Sequence, residues 1–150
     1  MFWDDLNLHH LRNGSVWMAA IDKLALILVR DRKQLVARSR GKTAFFTPGG
    51  KREPGESDEA ALTRECKEEL SVDLIPSTIE SYGVFEAQAF GKPEGTMVRM
   101  TCYRADFEGT LTPTSEVEEL RWIDSGCPES DLSVTGLMIL KDLKEKDLID

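Results

Sequence analysis

Cysteine and histidine are scarce, with three and two copies in 150 residues. The cysteines, Cys66, Cys102 and Cys127, are odd in number and show no CxxC spacing, which argues against a disulfide framework or a cysteine-ligated zinc site and suits a reducing compartment. His9 and His10 have no partner pattern and read as surface residues. Long apolar runs are also missing: the longest, LALILV at 24–29, is far too short to span a bilayer, and the N-terminal stretch lacks a basic segment followed by an apolar one. A soluble, unsecreted, cytoplasmic protein without membrane partners is the expectation. Basic residues are outnumbered, 19 Lys and Arg against 27 Asp and Glu, for a net charge of −8. That field repels polyanions and disfavours nonspecific binding to nucleic acid. A small phosphorylated ligand remains compatible with it, because a divalent cation can bridge phosphate to carboxylate.

No repeat or low-complexity tract is visible, and 41% hydrophobic residues suffice to bury one core, so residues 1–150 read as a single domain. Residues 16–38 read as strands: VWMAAI, LALILV and QLVARS, interrupted at Asp22-Lys23 and at RDRK. TAFFTPGG (43–50) is a short aromatic stretch stopped by Pro48, Gly49 and Gly50. The following GGKREPGE (49–56) is too rich in Gly and Pro for helix or strand and reads as an ordered loop.

From Ser57 the period changes. Ser57 suits an N-cap, Asp58 and Glu59 suit the first turn, and Leu62, Cys66 and Leu70 recur every fourth residue, predicting a helix of roughly fourteen residues closed before Pro76. Residues 79–90 and 96–107 read as a hairpin joined by GKPEG, VEELRWID as a further strand, and 134–148 as an amphipathic helix. The expected class is α/β (α+β): a mixed sheet with a helix on each face.

LTRECKEEL (62–70) crowds Glu65, Glu68 and Glu69 into little more than one turn. With Glu65 at zero, Glu69 lies near +40° and Glu68 near −60° at about 100° per residue, while Leu62, Cys66 and Leu70 fall between about +60° and +140°. An acidic face thus adjoins an apolar one. Like charges three or four apart on a helix cost about 0.2–0.5 kcal/mol per pair. Such hard oxygen donors suit Mg²⁺ or Mn²⁺, whose charge turns repulsion into coordination.

From Gly50 the chain reads GKREPGESDEAALTRECKEELSV. This resembles the signature of the Nudix hydrolases: Gly, five residues, Glu, seven residues, Arg-Glu, an apolar residue, any residue, Glu-Glu, any residue, Gly, an apolar residue. Gly50, Glu56, Arg64, Glu65, Cys66, Glu68, Glu69 and Val72 fit their slots, and six fixed charged or glycine positions agree by chance only about once in 10⁷ starts. Ser71 departs from the pattern, standing where the family has glycine. The slot lies just past the helix, where a left-handed residue is common, so serine costs roughly 1 kcal/mol there.

The resemblance implies an α/β/α sandwich in which Glu65, Glu68 and Glu69, with the Gly50 carbonyl, ligate Mg²⁺ or Mn²⁺, and in which Glu56 and Arg64 brace the loop against the helix. It implies water attack on a nucleoside diphosphate-linked substrate, with Glu65 or Glu69 orienting the water. MutT-type relatives carry a further glutamate six residues before a tryptophan, a spacing that selects Glu116 before Trp122. Arg38, Arg40 and Lys51 are candidate phosphate or base contacts. GKT at 41–43 is not a P-loop, because the glycine that frame requires is replaced by Val36.

Markers of other subgroups are missing. Nothing after Val72 is similar to the SQPWPFP stretch of the NADH group, Pro76 is too close to serve as the proline of the ADP-ribose group, and Phe90 stands where the dinucleoside-polyphosphate group often has tyrosine. The reading is a MutT-like (deoxy)nucleoside triphosphate pyrophosphohydrolase, monomeric or homodimeric. Its alternatives are an ADP-ribose or other nucleotide-sugar pyrophosphatase and a non-catalytic nucleotide-binding module.

Overall fold

The structure, a computed structural model, describes the backbone of residues 8–13 and 16–20 and all of residues 21–89 and 92–150. The side chains of His9 and His10, and Phe90, lie outside the described residues. In chain order the first strands are β1 (Leu8–Asn13), β2 (Val16–Leu26), β3 (Val29–Arg30), β4 (Lys33–Ser39), β5 (Phe45–Phe46) and β6 (Gly49–Lys51). Helix α1 (Asp58–Leu70) and β7 (Asp73–Leu74) follow, then β8 (Glu80–Gln88), β9 (Met97–Arg104), β10 (Phe107–Glu108), β11 (Val117–Ile123) and helix α2 (Val134–Glu145).

β2 organises the larger sheet, in which β1, β2, β9 and β8 are neighbours in that order and β6 also pairs with β2. β2 runs parallel to β9, with Ile21 opposite Val98, and antiparallel to β6, with Leu24 opposite Gly50. A second, four-stranded sheet has the order β11, β4, β3, with β5 added to β4, and β7 pairs with β10 alone. The expected mixed sheet with two helices is present, with this second sheet added to it. Alternate residues of β2 serve two cores, as strand geometry requires. Leu24 and Leu26 pack with Leu62, Cys66 and Leu70 of α1, while Ala25, and Ile27 just past the strand, pack with Ile139, Leu140 and Leu143 of α2.

Two expectations need correction. Asp22-Lys23 does not interrupt β2, which runs unbroken through both residues. Asp22 is neutralised there by Arg52 at 3.3 Å, and the Lys23 ammonium lies in the field of Glu69 and Glu65, so tertiary partners override the local charge. The Gly-rich loop, in turn, begins as a strand. Gly49 has φ +142°, and a Cβ on it would stand 2.0 Å from the Leu24 carbonyl oxygen, so only glycine lets β6 lie this close to β2. The loop proper starts at Arg52.

Helix α1 is 13 residues long, and its Ser57 cap accepts the Ala60 N–H at 3.1 Å. Its other end stops at Ser71, which is left-handed at φ 60°, ψ 32° and donates its N–H to the Lys67 carbonyl. Serine therefore occupies the conformation that glycine adopts without strain. Ser71→Gly is expected to raise stability by about 1 kcal/mol, a gain of roughly 2–4 °C in Tm, measurable by calorimetry. The free carbonyls of the last turn are met by the segment before β11: Thr114 N–H donates to the Glu69 carbonyl, Thr112 N–H to that of Leu70, and the Thr114 hydroxyl to that of Glu68.

β8 and β9 pair antiparallel, as expected of the hairpin strands, and the expected C-terminal helix forms over Val134–Glu145, three residues shorter than its apolar pattern. α2 is capped by Ser133, whose oxygen accepts the Gly136 N–H, and is tied to β8 by the Tyr82 hydroxyl donating to Asp142 at 2.7 Å. Among the described residues no helix is long and apolar enough to cross a membrane.

Candidate functional site

The loop between β6 and α1 closes on Arg64. Its Nε and Nη2 each donate to one oxygen of Glu56 at 2.8 Å, a two-pronged ion pair, and Nη2 also reaches the Lys51 carbonyl at 3.0 Å. Glu56 in turn accepts the Glu53 N–H at 2.7 Å. These charged contacts hold the Glu56 carboxyl down at about 2. The remaining Arg64 nitrogen, Nη1, lies 2.9 Å from Glu65 and 3.5 Å from Glu68. One guanidinium thus joins the loop to two acids of the helix.

Glu65 and Glu69 turn inward. Glu69 Oε1 accepts the Gly49 N–H at 2.8 Å. The Glu65 carboxylate lies against Gly50, where a Cβ would come within 2.5 Å of its carboxyl carbon. Burial drives the Glu69 carboxyl up to about 8 against the opposing pull of the Gly49 N–H, and raises Glu65 against the pull of Arg64. The two acids also act on Lys23 of β2, whose ammonium is pushed down to about 8 by burial while Glu69 and Glu65 pull it upward. Glu68, by contrast, is exposed.

The two glycines predict different failures. Gly49→Ala meets rigid β2 backbone at 2.0 Å from a left-handed φ and should lose about 3 kcal/mol or more of stability. Gly50→Ala meets only the end of a flexible side chain, so its stability cost should stay near 1 kcal/mol. It displaces Glu65, however, and activity should fall at least about tenfold. Urea titrations and steady-state rates on the pair check this contrast.

The other candidates sit farther along the chain. Arg38 is held by Glu119 at 3.2 Å, by Glu118 at 3.4 Å and by the Lys42 carbonyl at 3.0 Å. Arg40 reaches the Ser115 carbonyl at 3.4 Å, and its N–H donates to the Glu116 carbonyl at 2.8 Å. The described partners of both arginines thus come from their own segment and from residues 115–119, not from α1. Glu116 is exposed and follows by two residues the Thr114 that caps α1. Lys51 belongs to β6, where it faces Lys23 in register. Trp122 packs in the α1 core with the Arg30 guanidinium 5.1 Å from its ring centroid.

Sequence reading missed a second strut. Arg52, taken as a loop residue, bonds both Asp22 and Asp58, and Asp58 also accepts from the Tyr103 hydroxyl, so loop, helix start, β2 and β9 are tied together. It missed Lys23 as well. The signal available was a charged dipeptide inside an otherwise apolar run.

Among the described residues no three His, Cys, Asp or Glu side chains converge on a single point at metal-ligand distance. Their oxygens are distributed over Arg64, the Gly49 N–H and the surroundings of Lys23. The donor chemistry is nonetheless that of a hard cation: anionic oxygens on one helix, with a backbone stripped of Cβ at Gly50 so that carboxylate and main chain meet.

Comparison with known proteins places this geometry. The family model described as NUDIX domain matches residues 21–126, which include α1, the second sheet and the larger sheet apart from β1 and the first residues of β2. The chain is 31% identical over 110 residues to the CTP pyrophosphohydrolase of Escherichia coli (strain K12), covering 70% of this chain and 76% of that protein. The solution structure of the E. coli ORF135 protein superposes with a TM-score of 0.65 at 28% identity, covering 87% of this chain and 95% of that one. The MutT NUDIX hydrolase from Burkholderia pseudomallei gives 0.68 at 23% identity, covering 81% and 96%. With the family's glycine, arginine and glutamate pattern folded into one loop-helix unit, the chain belongs to the Nudix hydrolases, enzymes that cleave phosphoric anhydride bonds.

Proposed function

We propose that the protein is a divalent-metal-dependent pyrophosphohydrolase of nucleoside triphosphates, releasing nucleoside monophosphate and pyrophosphate. The observation that carries this reading is the unit in which Gly49 holds Glu69, Gly50 admits Glu65 and Glu56 fixes Arg64. The similarity over 110 residues to a protein named for CTP hydrolysis supports the triphosphate class.

Glu65, Glu68 and Glu69, with the Gly50 carbonyl, are the residues that would hold Mg²⁺ or Mn²⁺. When bound, such an ion supplies positive charge to the phosphate oxygens and acidity to the attacking water. The chain's own contribution is positional. Arg64 and Glu56 fix the loop over the helix, and Gly49 aims the Glu69 carboxylate. Water attacks phosphorus, the α–β anhydride bond breaks, and pyrophosphate leaves. The water proton passes to a carboxylate, Glu65 or Glu69 on the helix or Glu116 on the loop that caps it. Arg40 and Lys51 are placed in this scheme as phosphate contacts. Arg38 joins them by exchanging Glu119 for phosphate.

The test is product analysis by anion exchange after incubation with Mg²⁺ and CTP, the other NTPs and dNTPs, and ADP-ribose. Monophosphate and pyrophosphate from triphosphates are expected. Turnover of ADP-ribose with every triphosphate inert overturns the reading.

A further inference from the structure

A lysine in the interior of β2 needs a reason. Its neighbours two residues away, Ile21 and Ala25, are fully buried, and β2 is flanked by β9 on one side and β1 and β6 on the other. Lys23 itself is half-buried, and where an apolar side chain would satisfy such a position, a lysine gives up part of its hydration to occupy it. The register sets its backbone next to the pairs that touch the two glutamates. Lys23 lies opposite Lys51 and beside Leu24, whose partner is Gly50, and the next pair joins Ala25 to Gly49. Gly50 is where the Glu65 carboxylate rests, and Gly49 donates to Glu69. The same two glutamates are the acids whose charge acts on Lys23, Glu69 more strongly. Arg64 cannot fully serve in its place, because its two-pronged bond to Glu56 already commits it to the loop.

We propose that Lys23 is a resident cation of the carboxylate cluster, supplying from the protein part of the positive charge that a divalent ion otherwise brings, and thereby weakening the protein's affinity for such ions. The proposal rests on the reading of Glu65 and Glu69 as metal-binding residues. Its physical basis is simple: a fixed positive charge that interacts electrostatically with the same carboxylates repels an incoming dication, and at partly buried separations one unit charge shifts such an equilibrium by about an order of magnitude. Arg64 would set the position of the loop, and Lys23 the charge of the floor.

The experiment measures Mn²⁺ binding by electron paramagnetic resonance, without substrate, on the wild type, Lys23→Met, Lys23→Gln, Lys23→Arg and Glu69→Gln. The wild type should bind Mn²⁺ and Glu69→Gln should lose most of that binding. Lys23→Met and Lys23→Gln should each bind about tenfold more tightly than wild type, and Lys23→Arg, which keeps the charge, should stay near it. Two neutral variants are included so that a folding failure in one leaves the other, with circular dichroism reporting the fold. Unchanged or weaker binding in the folded neutral variants overturns the role of Lys23 while leaving the metal reading intact. If the wild type binds no Mn²⁺, or Glu69→Gln binds as well as the wild type, the metal reading and this inference fall together.

Discussion

Glu69→Gln should lower kcat by about 10²- to 10⁴-fold while the fold survives. The replacement keeps the length of the side chain and an oxygen for the Gly49 N–H, now 2.8 Å from Oε1, so the tie between helix and strand persists. It removes the charge. Burial has already pushed the Glu69 carboxyl up to about 8, which means that ionising it inside the fold costs free energy at neutral pH. A neutral amide avoids that cost, and the metal-free Tm of the variant should therefore equal or exceed that of the wild type. Magnesium should reverse the order. At a hundredfold excess over Kd, a ligand that binds only the native state adds about 2.7 kcal/mol, so the wild type should gain several degrees that the variant does not. Turnover equal to that of the wild type in Glu69→Gln would remove Glu69 from the proposed chemistry.

Glu56→Gln should cost about 2–3 kcal/mol. With only 17% of Glu56 and 24% of Arg64 exposed, solvent screens the pair weakly, and removing one partner leaves a guanidinium with its strongest contact gone. The pH dependence follows from the depressed carboxyl. The folded value of about 2 lies below the ordinary 4.5, so the ion pair contributes fully above pH 4.5 and is lost as pH falls from there toward 2. Wild type and variant should therefore differ by a constant amount in urea titrations at pH 6 to 8 and converge below about pH 4.5. A gap that persisted unchanged into acid would assign the loss to packing instead. Activity should also drop, by about 10- to 100-fold, because Arg64 holds both the loop and the Glu65 carboxylate.

The loop-helix unit was legible because its information is local. Leu62, Cys66 and Leu70 at helical spacing, Ser57 at the start and a left-handed Ser71 at the end are read from neighbours, and the structure has all of them in place. Charge in a strand is different. Asp22 and Lys23 look like a break until Arg52, Glu65 and Glu69 arrive from later in the chain, and no window around residue 22 contains those partners. The two glycines misled for a related reason. In isolation Gly-Gly signals a turn, yet at Gly49 the missing side chain serves close contact between strands, a fact that belongs to β2. The second sheet escaped notice because β3 and β5 have two residues each, too few to show any period. In the site, the resemblance to the family pattern implied that Glu56 and Arg64 meet, whereas Arg38 and Arg40 gave no hint that residues 115–119 would engage them.

The threonines that finish α1 bear on how the protein can evolve. Two amides and one hydroxyl of the segment before β11 are the terminal cap of the helix, so that segment is mechanically part of α1 and is no separate lid. Glu65, Glu68 and Glu69 travel on the same rigid piece as the start of the Glu116 loop. Arg40, which donates to the Ser115 and Glu116 carbonyls, is coupled to the same piece. The helix cap thus joins the acids of α1 to the segment that engages the candidate phosphate contacts, so that an insertion before β11 would disturb both together.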